Sequence, residues 1–432
     1  MATFKPVDAV SVELWGKQVG AVALDPETNF YAFEYDPKFV KTGIELAPRH
    51  MPLLEAGESF IFPNLGTQTY QRLPAMLADA LPDKFGNALI TAWMANNGIS
   101  ESSITALDRL AYMGQRSMGA LLFKPNRGPI QTLSTALDLS NLVQQARSVI
   151  HGDFQSSDHA GKLLRQIIQV GTSAGGARAK ATVAWNPKTH EVKTGQFDIP
   201  DEFDAWLLKF DGIGVDAQLG EGMHFGRVEY AYSLMAKQAG ITMTECFLLE
   251  EDDRAHFMTK RFDRTGNQRH HMQTLCAMAH MDFNQIGVHS YHQLFQVIVD
   301  LGLGRGALEQ TLRRMIFNVL ATNRDDHTKN FSFLLKEGGK WDLAPAYDVT
   351  FAYNPQNKWL RQHLMSVNGK FDKITEQDFR EVADRHELLG ICKNVVNQVR
   401  DAISMWPRFA QQSGVPQEQI DAIAHAHKSA NA

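Results

Sequence analysis

The stretch ATNRDDHTKNFSFLL, residues 321–335, constrains this chain more than any other. It follows Leu308, Leu312, Met315, Ile316, Val319 and Leu320, whose spacing predicts an amphipathic helix with one buried face. It runs into FSFLL, KEGGK and WDL, which predict a hairpin. A polar loop held between a buried helix and a hairpin is a place where reacting groups are set on a rigid scaffold. Any fold available to the chain has to hold that loop from both sides.

Asp325 and Asn330 are five residues apart, the spacing of the aspartate and asparagine in a protein-kinase catalytic loop. The spacing lets a carboxylate face an attacking hydroxyl while an amide oxygen returns to a magnesium ion on the phosphates. The predicted hairpin then brings in Asp348, within LAPAYDVT, as a second metal ligand. Such chemistry also needs a cation for the phosphates. Lys209 ends the apolar run DAWLLK, and Glu229 follows 20 residues later on a helix predicted over 227–238, the order of the kinase lysine–glutamate pair. Plainer uses exist for each residue: Asn323, Asp325 and Asp326 can cap and turn the chain, Lys209 can close a strand, and Glu229 can be a solvated helix residue.

In GTSAGGARAK, residues 171–180, Gly171, Gly175 and Gly176 lie among small residues, so the backbone can approach phosphates closely. Arg178 and Lys180 favour an anion-facing role, against the alternative of a plain flexible loop. The segment is no Walker A loop, because no Gly-Lys-Ser/Thr follows at the required spacing. His270, His271, His280, His289 and His292 fall within 23 residues, yet they form no HExxH and no zinc pattern, and read as ordinary surface or core histidines. Without a GxSxG elbow, a Ser-His-Asp hydrolase of that type is excluded.

Three regions emerge along the chain. In 1–125, Val10, Val12 and Leu14 alternate with polar residues, Gly16-Lys17 offers a turn, and 19–24 continues as strand. The stretch 70–97 is predicted helical, broken near Leu81-Pro82-Asp83. KPNRGP, residues 124–129, is the strongest linker candidate. In 130–260, a helix is predicted over 137–150 and strands over 181–185, 205–210 and 246–250. In 261–432 the pattern is mostly helical, with Ile391, Val395, Val399, Ala402 and Trp406 at helical spacing. The fold class expected is α+β: a protein-kinase-like, two-lobed fold with an N-terminal α/β subdomain (1–125), a nucleotide-binding lobe (130–260) and an all-helical C-terminal lobe (261–432).

Composition removes several classes. With 44% hydrophobic and 21% charged residues the chain can bury large cores, so disorder is excluded as its main state. Forty-three Lys and Arg against 48 Asp and Glu give a net charge of -5, which argues against a surface basic throughout and leaves room only for a local basic patch. Cys246, Cys276 and Cys392 lie far apart and are odd in number, as expected in a reducing compartment. No signal-peptide run and no stretch of 18 apolar residues is found, so a soluble, cytoplasmic protein without membrane partners is expected.

With these residues in view, the chain resembles the HipA family of serine/threonine kinases, the toxin half of bacterial toxin–antitoxin pairs. VELWGKQVGAV and LADALPDKFGN are similar to the family's N-terminal subdomain. SAGGARAK is similar to its S-x-x-G-A-x-x-K loop, with Arg178 where glutamine is common. WLLKF, EYAYSLMAKQAGI, TKRFDR, DDHTKNFS and PAYD follow in the family's order. The resemblance implies Asp325 as catalytic base, Asn330 and Asp348 as magnesium ligands, Lys209 on the ATP phosphates and His327 beside the nucleotide. It places Gly175, Gly176 and Lys180 in the nucleotide-covering loop. Lys260 and Phe262 would meet adenine through their backbones, although Lys260 replaces the acidic residue of the best-known members, and Asp263 would lie near the ribose. Ser173 would be the autophosphorylation site whose modification ejects the loop. A small HipB-like helix-turn-helix antitoxin, operator DNA bound through the antitoxin complex, and an aminoacyl-tRNA synthetase such as glutamyl-tRNA synthetase as substrate are further implications. Two rivals stand beside this: a small-molecule kinase of similar fold, and a catalytically silent corepressor acting with the antitoxin on DNA.

Overall fold

A computed structural model describes residues 4–82, 84–129, 137, 178–211, 224–251 and 254–430. Two compact units divide the chain: 1–208, 263–282 and 335–339 form the first, and 209–262, 283–334 and 340–432 the second.

In the first unit, strands β1 (Ala9–Leu14), β2 (Lys17–Leu24), β3 (Tyr31–Tyr35) and β4 (Leu122–Lys124) join in the antiparallel order β3-β2-β1-β4. Val10, Val12 and Leu14 are wholly buried, as their alternation predicts. Trp15 and Gly16 turn the chain at φ +48° and +73°, the left-handed geometry of a two-residue hairpin. The ladder runs from Leu14↔Lys17 to Ala9↔Ala23, with an irregularity between Val12 and Glu13. β3 was not anticipated, although Tyr31, Phe33 and Tyr35 alternate into the core.

The stretch 70–97 is helical in pieces. One-turn helices Thr67–Tyr70 and Ala75–Ala78 precede Lys84–Asn96, and Pro74 and Pro82 fall at the breaks because proline offers no N–H to continue a helix. The helix Ala106–Met113 starts with a Thr105–Asp108 capping box. The other oxygen of Asp108 accepts the Val7 amide at 3.0 Å. KPNRGP is not a free linker. Lys124 belongs to β4, the Arg127 amide donates to the Ala111 carbonyl at 2.8 Å, and the Arg127 guanidinium donates to the Lys5 carbonyl at 2.6 Å.

Further along this unit, β5 (Lys180–Trp185) and β6 (Val192–Thr194) pair antiparallel through Val183↔Thr194 and Trp185↔Val192. Ala184, Ile199, Phe203 and Ala205 form a small core, and Trp185 meets Trp206 edge-on at 5.1 Å. β7 (Asp204–Lys209) ends on Lys209, the first residue of the second unit. The helix expected over 137–150 lies outside the described residues, Leu137 apart.

The second unit combines the helix Phe225–Gln238, the antiparallel pair β8 (Cys246–Glu251) and β9 (Arg254–Lys260), and the helices Tyr291–Asp300, Arg305–Leu320, Glu376–Arg385, Leu389–Ser404, Trp406–Gln412 and Gln417–Ala430. Leu312, Met315, Ile316 and Phe317 are wholly buried, and so is Val399. Tyr232, also wholly buried, donates its hydroxyl to the Ala321 carbonyl at 2.7 Å and packs edge-on against Phe317 and Trp406. It thereby fixes the point where the long helix gives way to the polar loop. The expectation of an all-helical C-terminal lobe needs an amendment: Ser332–Leu335 and Trp341–Leu343 form the hairpin, and His289–Ser290 pairs in parallel with Met365–Ser366. Among the described residues no helix is long and apolar enough to cross a membrane.

Candidate active site

The helix Arg305–Leu320 ends at Ala321, and Thr322 then takes φ +57°. A β-branched residue in the left-handed region costs on the order of 1–3 kcal/mol, so its surroundings must impose that conformation. They do so through a short parallel bridge: the Ala352 amide donates to the Thr322 carbonyl at 3.2 Å, and the Arg324 amide to the Ala352 carbonyl at 3.0 Å. The loop continues through Asp325, Asp326 and His327 to the 3-10 turn Thr328–Asn330 and the strand Ser332–Leu335. The Asn330 side-chain amide donates to the Asp325 carbonyl at 2.7 Å, which turns its oxygen the other way.

Two groups hold Asp325. The Trp359 indole donates to Oδ1 at 2.6 Å, and His327 Nε2 lies 3.8 Å from the same oxygen. Burial pushes the Asp325 carboxyl up from its ordinary value; His327 and the Trp359 bond oppose this, while the charges of Asp348 and Asp326 add to it. The His327 ring lies 5.4 Å from Phe283 and 6.2 Å from Trp359, and the Lys329 ammonium sits 4.8 Å over Phe283.

Asp326, 1% exposed, faces inward. Its Oδ2 accepts from Tyr291 Oη at 2.8 Å and lies 3.0 Å from His363 Nδ1, and its Oδ1 accepts the Leu364 amide at 2.8 Å. Asn318 donates to Tyr291 Oη at 2.9 Å, and Asn323 donates to Asn318 Oδ1 at 3.0 Å. Of two adjacent carboxylates, one is therefore built into the scaffold and the other stands against Trp359 and His327.

Lys209 ends β7 with its side chain 9% exposed. Its ammonium lies 2.5 Å from Glu229 Oε1, on a glutamate 1% exposed, and also contacts Asp348 Oδ1. Asp348 takes φ +55°, and the Ala346 amide two residues earlier donates to the Thr242 carbonyl at 2.8 Å. The second unit thus brings together Lys209, Glu229, Asp325, His327, Asn330 and Asp348. Among the described residues no group of three or more His, Cys, Asp or Glu could hold a metal by itself. A magnesium ion carried on phosphates needs only one or two protein oxygens, and the Asp348 carboxylate and Asn330 amide are hard donors of that kind.

Other expected site residues lie elsewhere. Ser173, Gly175 and Gly176 fall outside the described residues. Lys180 opens β5 in the first unit, 1% exposed. Lys260 gives its amide N–H to the Glu245 carbonyl at 2.9 Å, so this donor is not offered to an adenine, and its ammonium lies 3.4 Å from Glu245. Phe262 packs its ring 5.5 Å from Tyr347. Asp263 belongs to the first unit and is wholly buried, with Oδ2 accepting from the Gly119 amide at 2.7 Å and from Arg264 at 2.8 Å, so this oxygen holds backbone in place.

Trp359, Phe283, Tyr291 and His363 were not singled out from sequence. The available signal was Asn318, which with Thr311 and Arg314 is one of the polar residues on the buried face of its helix.

Comparison with known proteins identifies the family and the fold. A family model described as HipA N-terminal domain matches residues 10–124, and one described as HipA-like C-terminal domain matches residues 172–428. The serine/threonine-protein kinase toxin HipA of Shewanella oneidensis is 21% identical over 446 aligned residues, covering 98% of this chain and 91% of that protein. A chain of the solved Shewanella oneidensis MR-1 toxin–antitoxin complex of HipA, HipB and operator DNA superposes with a TM-score of 0.67 at 17% identity, covering 98% of this chain and 95% of that one. The α+β fold is shared with that structure, and the chain belongs to the HipA family.

Proposed function

We propose that the chain is an ATP- and magnesium-dependent serine/threonine protein kinase, the toxin of a toxin–antitoxin pair. The observation that carries this reading is the Lys209 ammonium held between the Glu229 and Asp348 carboxylates, in the unit whose single loop presents Asp325 and Asn330. Held by Glu229, Lys209 faces the nucleotide phosphates. Asn330 and Asp348 supply oxygens to magnesium, and His327 lies against the nucleotide. Bound ATP and magnesium supply the phosphoryl group and neutralise its charge. Asp325 orients a seryl or threonyl hydroxyl and receives its proton as the oxygen bonds to the γ-phosphorus and ADP departs. A raised carboxyl suits a group that accepts a proton during transfer.

The finer parts of the reading rest on the sequence resemblance. The 171–180 loop, with Gly175, Gly176 and Lys180, covers the phosphates, and phosphorylation of Ser173 ejects it. The acceptor is a translation protein of the aminoacyl-tRNA synthetase class, and the protein works in the cytoplasm. A HipB-like helix-turn-helix antitoxin bridges the kinase to operator DNA; the superposing relative was solved with HipB and operator DNA, which supports this partner.

The test is incubation of the purified chain with labelled ATP, magnesium and a bacterial lysate, beside Asp325→Asn. A labelled protein band that the variant fails to produce, with the modified serine or threonine mapped by mass spectrometry, is the expected result. Label confined to small molecules would instead favour a small-molecule kinase, and no transfer at all would remove the kinase reading.

A further inference from the structure

Trp359 lies 34 residues beyond Asp325, in a stretch without helix or strand, yet its indole N–H donates to Asp325 Oδ1 at 2.6 Å. Two sets of bonds put it there. Within its own segment, Asn357 Oδ1 accepts from the Trp359 amide at 2.7 Å and the Leu360 amide at 3.4 Å, and the Arg361 amide returns to the Asn357 carbonyl at 3.0 Å. Between segment and loop, the Arg324 guanidinium donates to the Arg361 carbonyl, and Asp326 Oδ1 accepts the Leu364 amide at 2.8 Å. The residues just before and just after Asp325 are therefore both tied to the segment that carries Trp359. The indole is also set by its neighbours, 6.3 Å from Phe283 and 6.2 Å from His327, both edge-on. His327 Nε2 and the indole N–H converge on the same carboxylate oxygen, Oδ1, from separate elements.

Building on the kinase reading, we infer that Trp359 is a positioning residue: its N–H holds Asp325 Oδ1 so that Oδ2 is the oxygen presented to the acceptor hydroxyl. An aspartate carboxylate turns broadly about its terminal torsion and can offer either oxygen over a range of angles. One short, charge-assisted bond from a fixed donor selects a single presentation. Transfer rate is steep in such alignment, whereas nucleotide binding does not depend on it.

Phenylalanine keeps the ring of Trp359 and removes the N–H. The experiment compares wild type, Trp359→Phe, Trp359→Ala and Asp325→Asn as full-length chains. Transfer from labelled ATP to the proteins of a bacterial lysate is measured with magnesium, and ATP affinity by equilibrium dialysis. Trp359→Phe is expected to lower the transfer rate roughly 10- to 100-fold with ATP affinity kept, and Trp359→Ala to lower it at least as far. A transfer rate for Trp359→Phe equal to or above wild type overturns the positioning role, and so does a matching loss of ATP affinity, which marks a structural role. In either case an inactive Asp325→Asn leaves the kinase reading standing. If Asp325→Asn transfers as well as wild type, or wild type transfers nothing, the kinase reading falls and takes this inference with it.

Discussion

Replacing Asp326 should loosen the 321–335 loop far more than its position beside Asp325 suggests. Its carboxylate faces Tyr291 Oη at 2.8 Å, His363 Nδ1 at 3.0 Å and the Leu364 amide at 2.8 Å, and Tyr291, His363 and Leu364 are each 3% exposed or less. Hydrogen bonds to a charged group contribute about 1.5–3 kcal/mol each, and a buried donor left without an acceptor costs about 1–3 kcal/mol. Asp326→Ala removes the acceptor for all of them. Water entering the vacancy and the relief of a desolvated charge offset part of the loss, which leaves about 3–5 kcal/mol. Asp326→Asn keeps the shape and one acceptor oxygen, and should cost about 1–3 kcal/mol. Tyr291→Phe removes a hydroxyl that donates to Asp326 and accepts from Asn318, so it should cost a similar amount alone but less in the Asp326→Ala background. In a chain of 432 residues with two compact units a single unfolding midpoint is ill defined, so the suitable assay is hydrogen exchange at the amides of 291–300 and 321–335. A local opening energy lowered by about 3 kcal/mol raises exchange there about 100-fold, while amides of the four-stranded sheet keep wild-type rates. Unchanged exchange in Asp326→Ala, or additivity of the two substitutions within about 0.5 kcal/mol, would refute the idea that this network carries the loop.

Asp325→Asn should abolish phosphotransfer while keeping ATP affinity within a few-fold, checked by transfer and equilibrium binding on the same sample; near-normal turnover would mean the base lies elsewhere. Lys209→Met leaves Glu229, 1% exposed, without this cation, and should destabilise the second unit by about 3–5 kcal/mol besides losing ATP binding. Adding Glu229→Leu should restore much of the stability and none of the activity, as read by hydrogen exchange within the second unit and by nucleotide binding. Asp378 is desolvated by burial, yet bonds from Asn368, Lys370 and Thr375 hold its carboxyl down to about 2. Its unfolded value is about 3.9. It therefore contributes stability above that pH which is lost as pH falls through about 2, so Asp378→Asn should flatten the acid limb of unfolding between these limits.

Much of the architecture was legible because its signals are local. Val10, Val12 and Leu14 alternate with the period of a half-buried strand, Gly16 supplies the left-handed turn, and Leu312, Met315, Ile316 and Val319 repeat with the period of a helix. The order of Lys209, Glu229, Asp325, Asn330 and Asp348 was equally visible. KPNRGP shows where local signals mislead: proline and glycine do end the strand, but Arg127 ties the segment back to Ala111 and Lys5, and no composition rule reports such a bond. At Asp263, too, an aspartate in a matching motif gives no sign that one of its oxygens is bound to the Gly119 amide.

The amino-acid order alone determined the strand and helix periods, the succession of motifs and the types of side chain available for phosphate, metal and proton. Tertiary structure decided which of them meet. It separated Asp325 from Asp326, sending one inward to Tyr291 and His363 and setting the other against Trp359 and His327. It also brought Trp359, 34 residues further along the chain and beyond the hairpin, to one oxygen of that carboxylate. Periodicity is set by backbone geometry over a few residues, whereas these meetings depend on which buried donors find acceptors once distant segments pack, and that is settled only in the folded chain.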